Sequence, residues 1–91
     1  MGRRRTEALI RIAAVLLADP DGRHWGYDTA KKARVRSATL YRALSRMLAD
    51  GWVIDGWESP DETGGKRPQR RYYTVTPLGR TKLADVMLAK P

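Results

Sequence analysis

Residues 27–51 carry the signals for two helices joined by a tight connection, and they read YDTAKKARVRSATLYRALSRMLADG. In the second half of this segment, Leu40, Leu44, Met47 and Leu48 recur at the spacing of one helix face, which predicts that their side chains are buried. The opposite face is small, polar and basic. A short helix, a tight connection and an amphipathic helix together predict a helix-turn-helix.

The ends of these two helices are marked by particular residues. The shorter helix is predicted over 27–33, and Arg34-Val35-Arg36 forms the connection. Ser37 is predicted as the N-cap of the longer helix, because a serine side chain accepts a hydrogen bond from a backbone amide in the first turn. Gly51 ends that helix after about Asp50, since glycine readily adopts the left-handed conformation found at helix C-termini.

The elements on either side complete a small domain. A first helix is predicted with Thr6 as its N-cap and an apolar stripe from Leu9 to Leu16. Two segments rich in β-branched and aromatic residues predict a hairpin with a long, mobile loop. Thr76-Pro77 is typical of a helix start and predicts a fourth helix. The predicted bounds are 6–18 for the first helix, 23–26 for a short strand, 52–58 and 71–76 for the hairpin strands, 59–69 for the wing loop and 77–89 for the fourth helix.

These elements predict the fold class. The chain of 91 residues is long enough for one domain, and residues 1–5 are expected to be flexible. We therefore expect a single α+β, mainly helical domain. Its architecture is predicted to be a winged helix-turn-helix with a three-helix core, a two-stranded wing and a C-terminal helix.

Charge and composition limit the partners and the location. Lys and Arg number 18 against 10 acidic residues, so the net charge is +8 and favours an anionic partner, either nucleic acid or an acidic membrane. A merely soluble basic protein is the alternative. The apolar run 8–18 is shorter than the roughly 20 residues needed to cross a bilayer. No small-residue cleavage site follows it, so a cytoplasmic location is expected.

The polar face of the longer helix is the candidate site for double-stranded DNA. Arg42 lies near its middle, where a guanidinium can pair with guanine O6 and N7 in the major groove. Thr39 and Ala38 lie one turn earlier and can meet a thymine methyl or a base edge, Arg46 is expected at a phosphate, and Ser45 suits either. A solvated helix face is the alternative. In the helix-turn-helix the residues predicted to contact DNA are Arg34, Arg36, Ser37, Ala38, Thr39, Tyr41, Arg42, Ser45 and Arg46.

The hairpin loop carries a second basic cluster. Lys66, Arg67, Arg70 and Arg71 lie close together beside flexible glycines, and this cluster is predicted to contact the DNA backbone or minor groove. A solvated loop is the alternative. Of the hairpin aromatic residues most are expected in the core, although Trp57 or Tyr73 can face outward.

Two other classes of function compete with sequence-specific DNA binding. An enzyme is disfavoured, because His24 is the only histidine, cysteine is absent, and neither a glycine-rich phosphate loop nor a metal-ligand cluster occurs. We therefore predict no catalysis, no cofactor and no metal site. The second class is an architectural DNA-binding or protein-interaction module without sequence preference or effector response, as in some plasmid or phage proteins. Salt titration against specific and random duplexes separates that module from a regulator.

The first helix has a wider apolar arc than one core contact requires. Ile10, Val15 and Leu17 flank its main stripe. A homodimer through the first and fourth helices is therefore predicted, and a monomer with an unusually well-buried first helix remains open.

The chain carries five recognisable segments, at 22–28, 37–44, 51–53, 70–73 and 76–80. Together they resemble the PadR-like family of bacterial transcriptional regulators, and the resemblance covers nearly the whole chain. The resemblance implies a dimeric winged-helix repressor or activator, and some members release DNA on binding phenolic or drug-like effectors. It also implies that Thr39 and Tyr41 lie at the DNA surface. Arg42 stands where the family often has proline, so the base preference is expected to be this chain's own, and no residue supports an effector.

Overall fold

The computed structural model describes residues 6–88, and within them it has five helices and three strands. The predicted elements lie within one residue of the observed bounds, and their order is that of a winged helix. The segment 1–5, expected to be flexible, and residue 89 of the fourth predicted helix lie outside the described residues. The helices are α1 Glu7–Ala18, α2 Gly26–Ala33, α3 Ser37–Ala49, α4 Pro60–Thr63 and α5 Pro77–Leu88; the strands are β1 His24–Trp25, β2 Val53–Trp57 and β3 Arg71–Val75.

The three strands form one antiparallel sheet in the order β1-β3-β2. Val53 is opposite Val75, and His24 is opposite Tyr73. Because side chains alternate between the faces of a strand, Val53, Tyr73 and Val75 share one face, and all three are buried against the helices. The hairpin of β2 and β3, with its loop, is the wing.

The core lies where α1, α3 and α5 meet the sheet. Leu40, Leu44 and Met47 of α3 are at most 1% exposed, as the helical spacing predicts, whereas Leu48 is only partly buried against the core. Ile12 and Leu16 of α1 are fully buried with them. The helix-turn-helix is thus anchored by one apolar face, and the other face of α3 points away from the core.

The helix starts test the capping predictions individually. The Thr6 hydroxyl accepts from the Leu9 amide at 3.1 Å, and the Thr76 hydroxyl accepts from the Gly79 amide at 2.9 Å, so both predicted caps are confirmed. The prediction for Ser37 is wrong. The Arg36 carbonyl already accepts from the Leu40 amide at 3.0 Å, so α3 begins at Ser37, and Arg36 occupies the cap position without a side-chain bond.

The loop between β2 and β3 is more ordered than predicted. Residues 60–63 form the one-turn helix α4. The Ser59 hydroxyl accepts from the Glu62 amide at 3.2 Å, and the Glu62 carboxylate accepts from the Ser59 amide at 3.1 Å. Pro60 occupies the first turn, where its missing N–H costs nothing. This capping box orders residues 59–63, the first part of the loop expected over 59–69, and the rest of that loop has no regular secondary structure.

Candidate nucleic-acid interface

The outer face of α3 is uncovered by any part of the described chain. We call the exposed side chains of Ala38, Tyr41, Arg42, Ser45 and Arg46 the open face. Thr39 is half-buried at its edge, and Ser37 is exposed at the start of the helix. Thr6, Ala8, Leu9 and Ile12 line a groove together with the open face and Thr39. The residues predicted to contact DNA from α3 therefore share one accessible surface.

The connection between α2 and α3 is held by backbone geometry. Arg34 adopts the left-handed conformation, with φ of 58°, and the Val35 amide donates to the Ala30 carbonyl at 3.0 Å. Arg11 of α1 donates from Nε to the Ala33 carbonyl at 2.9 Å, which satisfies an acceptor at the end of α2. The two predicted contacts Arg34 and Arg36 are exposed beside the start of α3.

Tyr41 joins the open face to α2. A Cβ on Gly26 would overlap the Tyr41 hydroxyl and lie 2.7 Å from the ring carbon Cζ. Only glycine therefore allows the ring to lie across the first turn of α2. The side chain is 46% exposed, so Tyr41 lies at the edge of the buried face of α3.

The cations of the interface differ in their pairing. Within residues 6–88, Arg42 has no ion-pair partner, and neither do Arg34, Arg36 and Lys66. Arg46 lies 3.8 Å from the Asp50 carboxylate on the next turn, a long and exposed pair that holds the side chain only weakly. Arg42 is thus the cation on the open face that is available to an incoming acceptor.

Two of the predicted wing cations, Arg67 and Arg70, form ion pairs with one buried carboxylate. Glu58 is 4% exposed and accepts from Arg67 at 2.6 and 2.8 Å and from the Arg70 backbone amide at 2.9 Å. Arg70 Nε lies 3.4 Å from the same carboxylate. The hydrogen bonds from Arg67, joined by those from Arg70, lower the pKa of Glu58 to about 2 although burial raises it. We call Glu58, Arg67 and Arg70 the Glu58 cluster.

The loop is also tied to β1. Arg23 pairs with Glu62 at 3.0 Å and lies over the Tyr72 ring at 4.2 Å. This pairing lowers the pKa of the Glu62 carboxyl. Arg70 lies over the Trp25 ring at 4.4 Å. The loop is therefore folded back on the sheet, and sequence reasoning missed Glu58 and Arg23, because no local spacing connects them to their partners.

Tyr73 and Trp57 lie on the same face of the hairpin but differ in burial. Tyr73 is 3% exposed and belongs to the core, whereas Trp57 is 62% exposed. Burial raises the pKa of the Tyr73 phenol. The sequence allowed Trp57 or Tyr73 to face outward. In the structure Trp57 faces outward and Tyr73 does not.

His24, the only histidine of the sequence, has a structural role. His24 is buried, and its Nε2 donates to the Asp19 carbonyl at 2.8 Å, since a carbonyl can only accept. Across residues 6–88 no three side chains of His, Asp or Glu are grouped to hold a metal ion. No helix in the same range is long and apolar enough to span a membrane.

Comparisons with known proteins agree with this architecture. The family model described as "Transcriptional regulator PadR-like family" matches residues 24–85, which include the helix-turn-helix and the wing. The chain is similar to the crystal structure of a PadR family transcription regulator from hypervirulent Clostridium difficile R20291. That likeness has a TM-score of 0.69 and 25% sequence identity and covers 87% of this chain and 81% of the other. A search of curated proteins gave no match. With the family model covering well over half of its length, the chain belongs to the PadR-like family of transcriptional regulators.

Proposed function

We propose that this regulator binds double-stranded DNA sequence-specifically, with α3 in the major groove. One observation carries the proposal: α3 buries Leu40, Leu44 and Met47 completely and leaves its small, basic side uncovered. A major groove admits one helix whose outward side chains are small or hydrogen-bonding. The protein acts by binding, as a regulator does, and has no catalytic step.

Within the open face the side chains suit different parts of the duplex. Arg42 is the base reader, because its unpaired guanidinium can donate to guanine O6 and N7 together. Ala38 and Thr39 approach base edges or a thymine methyl, and Ser45 suits a base edge or a phosphate. Tyr41 and Arg46 donate to phosphates on either side of the bases that are read.

The start of α3 supplies a phosphate site. Its first amides have no intrahelical acceptor, and the helix dipole is positive there. Arg34, Arg36 and Ser37 are exposed around this end. A phosphate bound there would fix the depth and register of α3 in the groove.

The wing adds contacts to the backbone or minor groove. Lys66 is exposed beside Gly64 and Gly65, both of which have positive φ. Because glycine has no side chain, the loop tip presents the lysine cation with little steric bulk around it. Arg67 and Arg70 have side chains that are 42% and 54% exposed. Both side chains are therefore partly accessible, and we propose that they also donate to phosphate oxygens.

We also infer a homodimer through α1 and α5. Leu88 and Met87 of α5 are 76% and 40% exposed. Val15 and Leu17 of α1 are only partly covered by the chain's own core. Together they leave apolar surface for a second copy, and sedimentation that gives a monomer at micromolar concentration would contradict the dimer. The location we propose is the cytoplasm, and neither a repressor nor an activator role is favoured by the geometry.

The test is the sequence dependence of Arg42. Duplexes bound by the wild type are selected from a random pool, and affinity is measured for the preferred duplex and for each single-base variant. Arg42→Ala is expected to cost about 1 to 3 kcal/mol on the preferred duplex and to relax the preference at one base pair. Lys82→Ala, which removes an exposed cation of α5, is the matched control and should leave the preference unchanged. Equal weakening of Arg42→Ala on every duplex would instead identify a sequence-independent architectural module.

A further inference from the structure

Arg11 is a charged residue in an otherwise apolar stretch of α1, and its side chain joins two helices. Between Glu7 and Asp19 it is the only charged residue of the sequence. Its Nε donates to the Ala33 carbonyl at 2.9 Å, and one terminal nitrogen lies 2.9 Å from the Glu7 carboxylate. Ala33 is 2% exposed. The side chain therefore reaches from α1 to a buried residue at the end of α2, and we call its bond to the Ala33 carbonyl the Arg11 tie.

The end of α2 has carbonyl groups that need donors, because the last carbonyls of a helix have no partner within it. The Ala30 carbonyl accepts from the Val35 amide at 3.0 Å, a bond made by the turn that follows. The Ala33 carbonyl belongs to the last residue of α2 and accepts from Arg11 instead. A part-buried carbonyl that loses its donor is destabilising. The Arg11 tie therefore helps to hold the end of α2 closed.

The turn that leaves this end of α2 is strained. Arg34 has φ of 58°, and between residues 6 and 88 it is the only residue other than glycine with positive φ. Residues with a side chain disfavour this region, which glycine adopts freely. A strained backbone of this kind persists only where the surrounding structure holds it in place. The Arg11 tie and the backbone bonds of the turn supply that restraint.

The direction of α3 depends on this turn. Only residues 34–36 separate α2 from α3, and the Arg36 carbonyl already accepts from the Leu40 amide at 3.0 Å within α3. A change of φ at Arg34 therefore rotates the start of α3, since no longer loop is present to absorb it. Hydrogen bonds to base edges need donors in a defined geometry, whereas attraction to phosphates is independent of sequence and tolerates a shift.

We propose that Arg11 is a positioning residue for base reading. It acts through the Ala33 carbonyl and the turn at Arg34, and it holds α3 at the angle at which Arg42 reaches its base. This inference rests on the proposed function of α3. It goes further by assigning part of the sequence preference to a residue of α1 that makes no contact with the duplex. The pair with Glu7 is exposed and contributes little to this role.

Two neutral substitutions of equal side-chain length isolate the tie. Arg11→Gln places an amide N–H donor at the position that Nε occupies along the side chain, and Arg11→Met places a methyl group there. Both variants lose the same charge and the pair with Glu7, and glutamine and methionine have similar helix propensities. A difference between the two variants therefore reports the donor to Ala33 alone. Affinities for the preferred duplex and for a scrambled duplex of the same length are measured by fluorescence anisotropy.

The ratio of the two affinities separates positioning from stability. Arg11→Met is expected to lower the ratio of preferred to scrambled affinity about fivefold or more, the size of loss that one mismatched base pair causes. Arg11→Gln should keep the ratio within about twofold of wild type, because the hydrogen bond is retained. Both variants should bind the scrambled duplex equally, since they carry the same charge. A merely structural bond would lower the melting temperature of Arg11→Met and leave the ratio unchanged.

Amide hydrogen exchange tests the tie in the free protein, without DNA. The Val35 amide, which donates to the Ala30 carbonyl, should exchange faster in Arg11→Met than in Arg11→Gln, because the turn opens more readily without the tie. Equal exchange in the two variants would show that the tie does not hold the turn, and would overturn the inference.

The outcomes distinguish this inference from the proposed function. A wild type that selects its duplex, with equal ratios for Arg11→Met and Arg11→Gln, overturns the positioning role and leaves the role of α3 standing. A wild type that binds every duplex alike overturns both. The Arg11 side chain is 39% exposed, so Arg11→Met is expected to fold, which a thermal melt verifies. If it does not fold, Arg11→Leu, which also lacks the donor, is compared with Arg11→Gln in the same way.

Discussion

Replacement of Gly79 by alanine tests the contact that fixes α5 against the wing. Gly79 is buried in the first turn of α5, and a Cβ there would overlap the Trp52 carbonyl oxygen and lie 2.8 Å from the carbonyl carbon. The obstacle is backbone and cannot rotate away. We therefore expect Gly79→Ala to push α5 outward by about 1 Å or more.

The expected loss in the free energy of unfolding follows from the hydrogen bonds around Gly79. The Thr76 amide donates to the Trp52 carbonyl at 3.0 Å, and the Thr76 hydroxyl lies 2.6 Å from the Gly51 carbonyl. Losing both bonds costs about 2 kcal/mol, and strained packing around them adds about 1 kcal/mol. The higher helix propensity of alanine stabilises α5 by about 1 kcal/mol. The net loss is about 2 kcal/mol, which lowers the melting temperature by about 10 °C.

Urea unfolding followed by circular dichroism measures this loss. Gly26→Ala is the matched control, because the same substitution in the first turn of α2 meets the free end of the Tyr41 side chain and no backbone. If Gly79→Ala proves as stable as the wild type or more stable, helix propensity outweighs the contact, and the described packing of α5 is wrong.

Three further predictions concern the interface and the wing. Gly26→Ala is expected to keep the stability of the wild type but to displace Tyr41 and weaken duplex binding several-fold; unchanged affinity would remove Tyr41 from the interface. Because the folded pKa of Glu58 is about 2, below its ordinary value of 4.5, the ionised carboxylate stabilises the fold above pH 4.5, and this contribution disappears as the pH falls toward 2. Melting temperatures of Glu58→Gln should therefore vary less across that window than those of the wild type, and parallel curves would refute the Glu58 cluster. Lys66→Ala should make the salt slope of duplex binding shallower by about 0.9, whereas an unchanged slope would exclude the loop tip from the interface.

The parts of the fold that depend on local spacing were predictable. The period of Leu40, Leu44 and Met47 identified α3 and its buried face, and hydroxyl residues marked the starts of α1 and α5. The same local reasoning failed at Ser37. There the left-handed turn at Arg34 determines where the chain leaves α2, so the first turn of α3 starts one residue earlier than the preferred capping residue would place it.

Helix α4 also has a local signal in the sequence, although the sequence analysis predicts only a loop there. Ser59 and Glu62 stand three residues apart with Pro60 between them, which is the pattern of a capping box with proline in the first turn. The glycines that follow indicated a loop, and they do end the helix: Gly64 is its left-handed C-cap.

The candidate site was predictable on α3 and less so on the wing. A helix face follows from one spacing, whereas the Glu58 cluster joins residues 9 and 12 positions apart, and the Arg23–Glu62 pair spans 39 positions. Alternation placed Trp57 on one face of β2, but only the structure shows that this face extends beyond the helices that cover Val53. Long-range packing of this kind leaves no periodic trace in a single sequence.

The most direct test of the central claim is the ratio of affinities for a selected duplex and a scrambled duplex of the same length and composition, measured at one physiological salt concentration. If α3 reads bases through its uncovered side, the ratio should reach about a thousandfold or more. A ratio near one would mean that the protein holds DNA by charge alone, and the assignment of α3 as the reading element would be wrong.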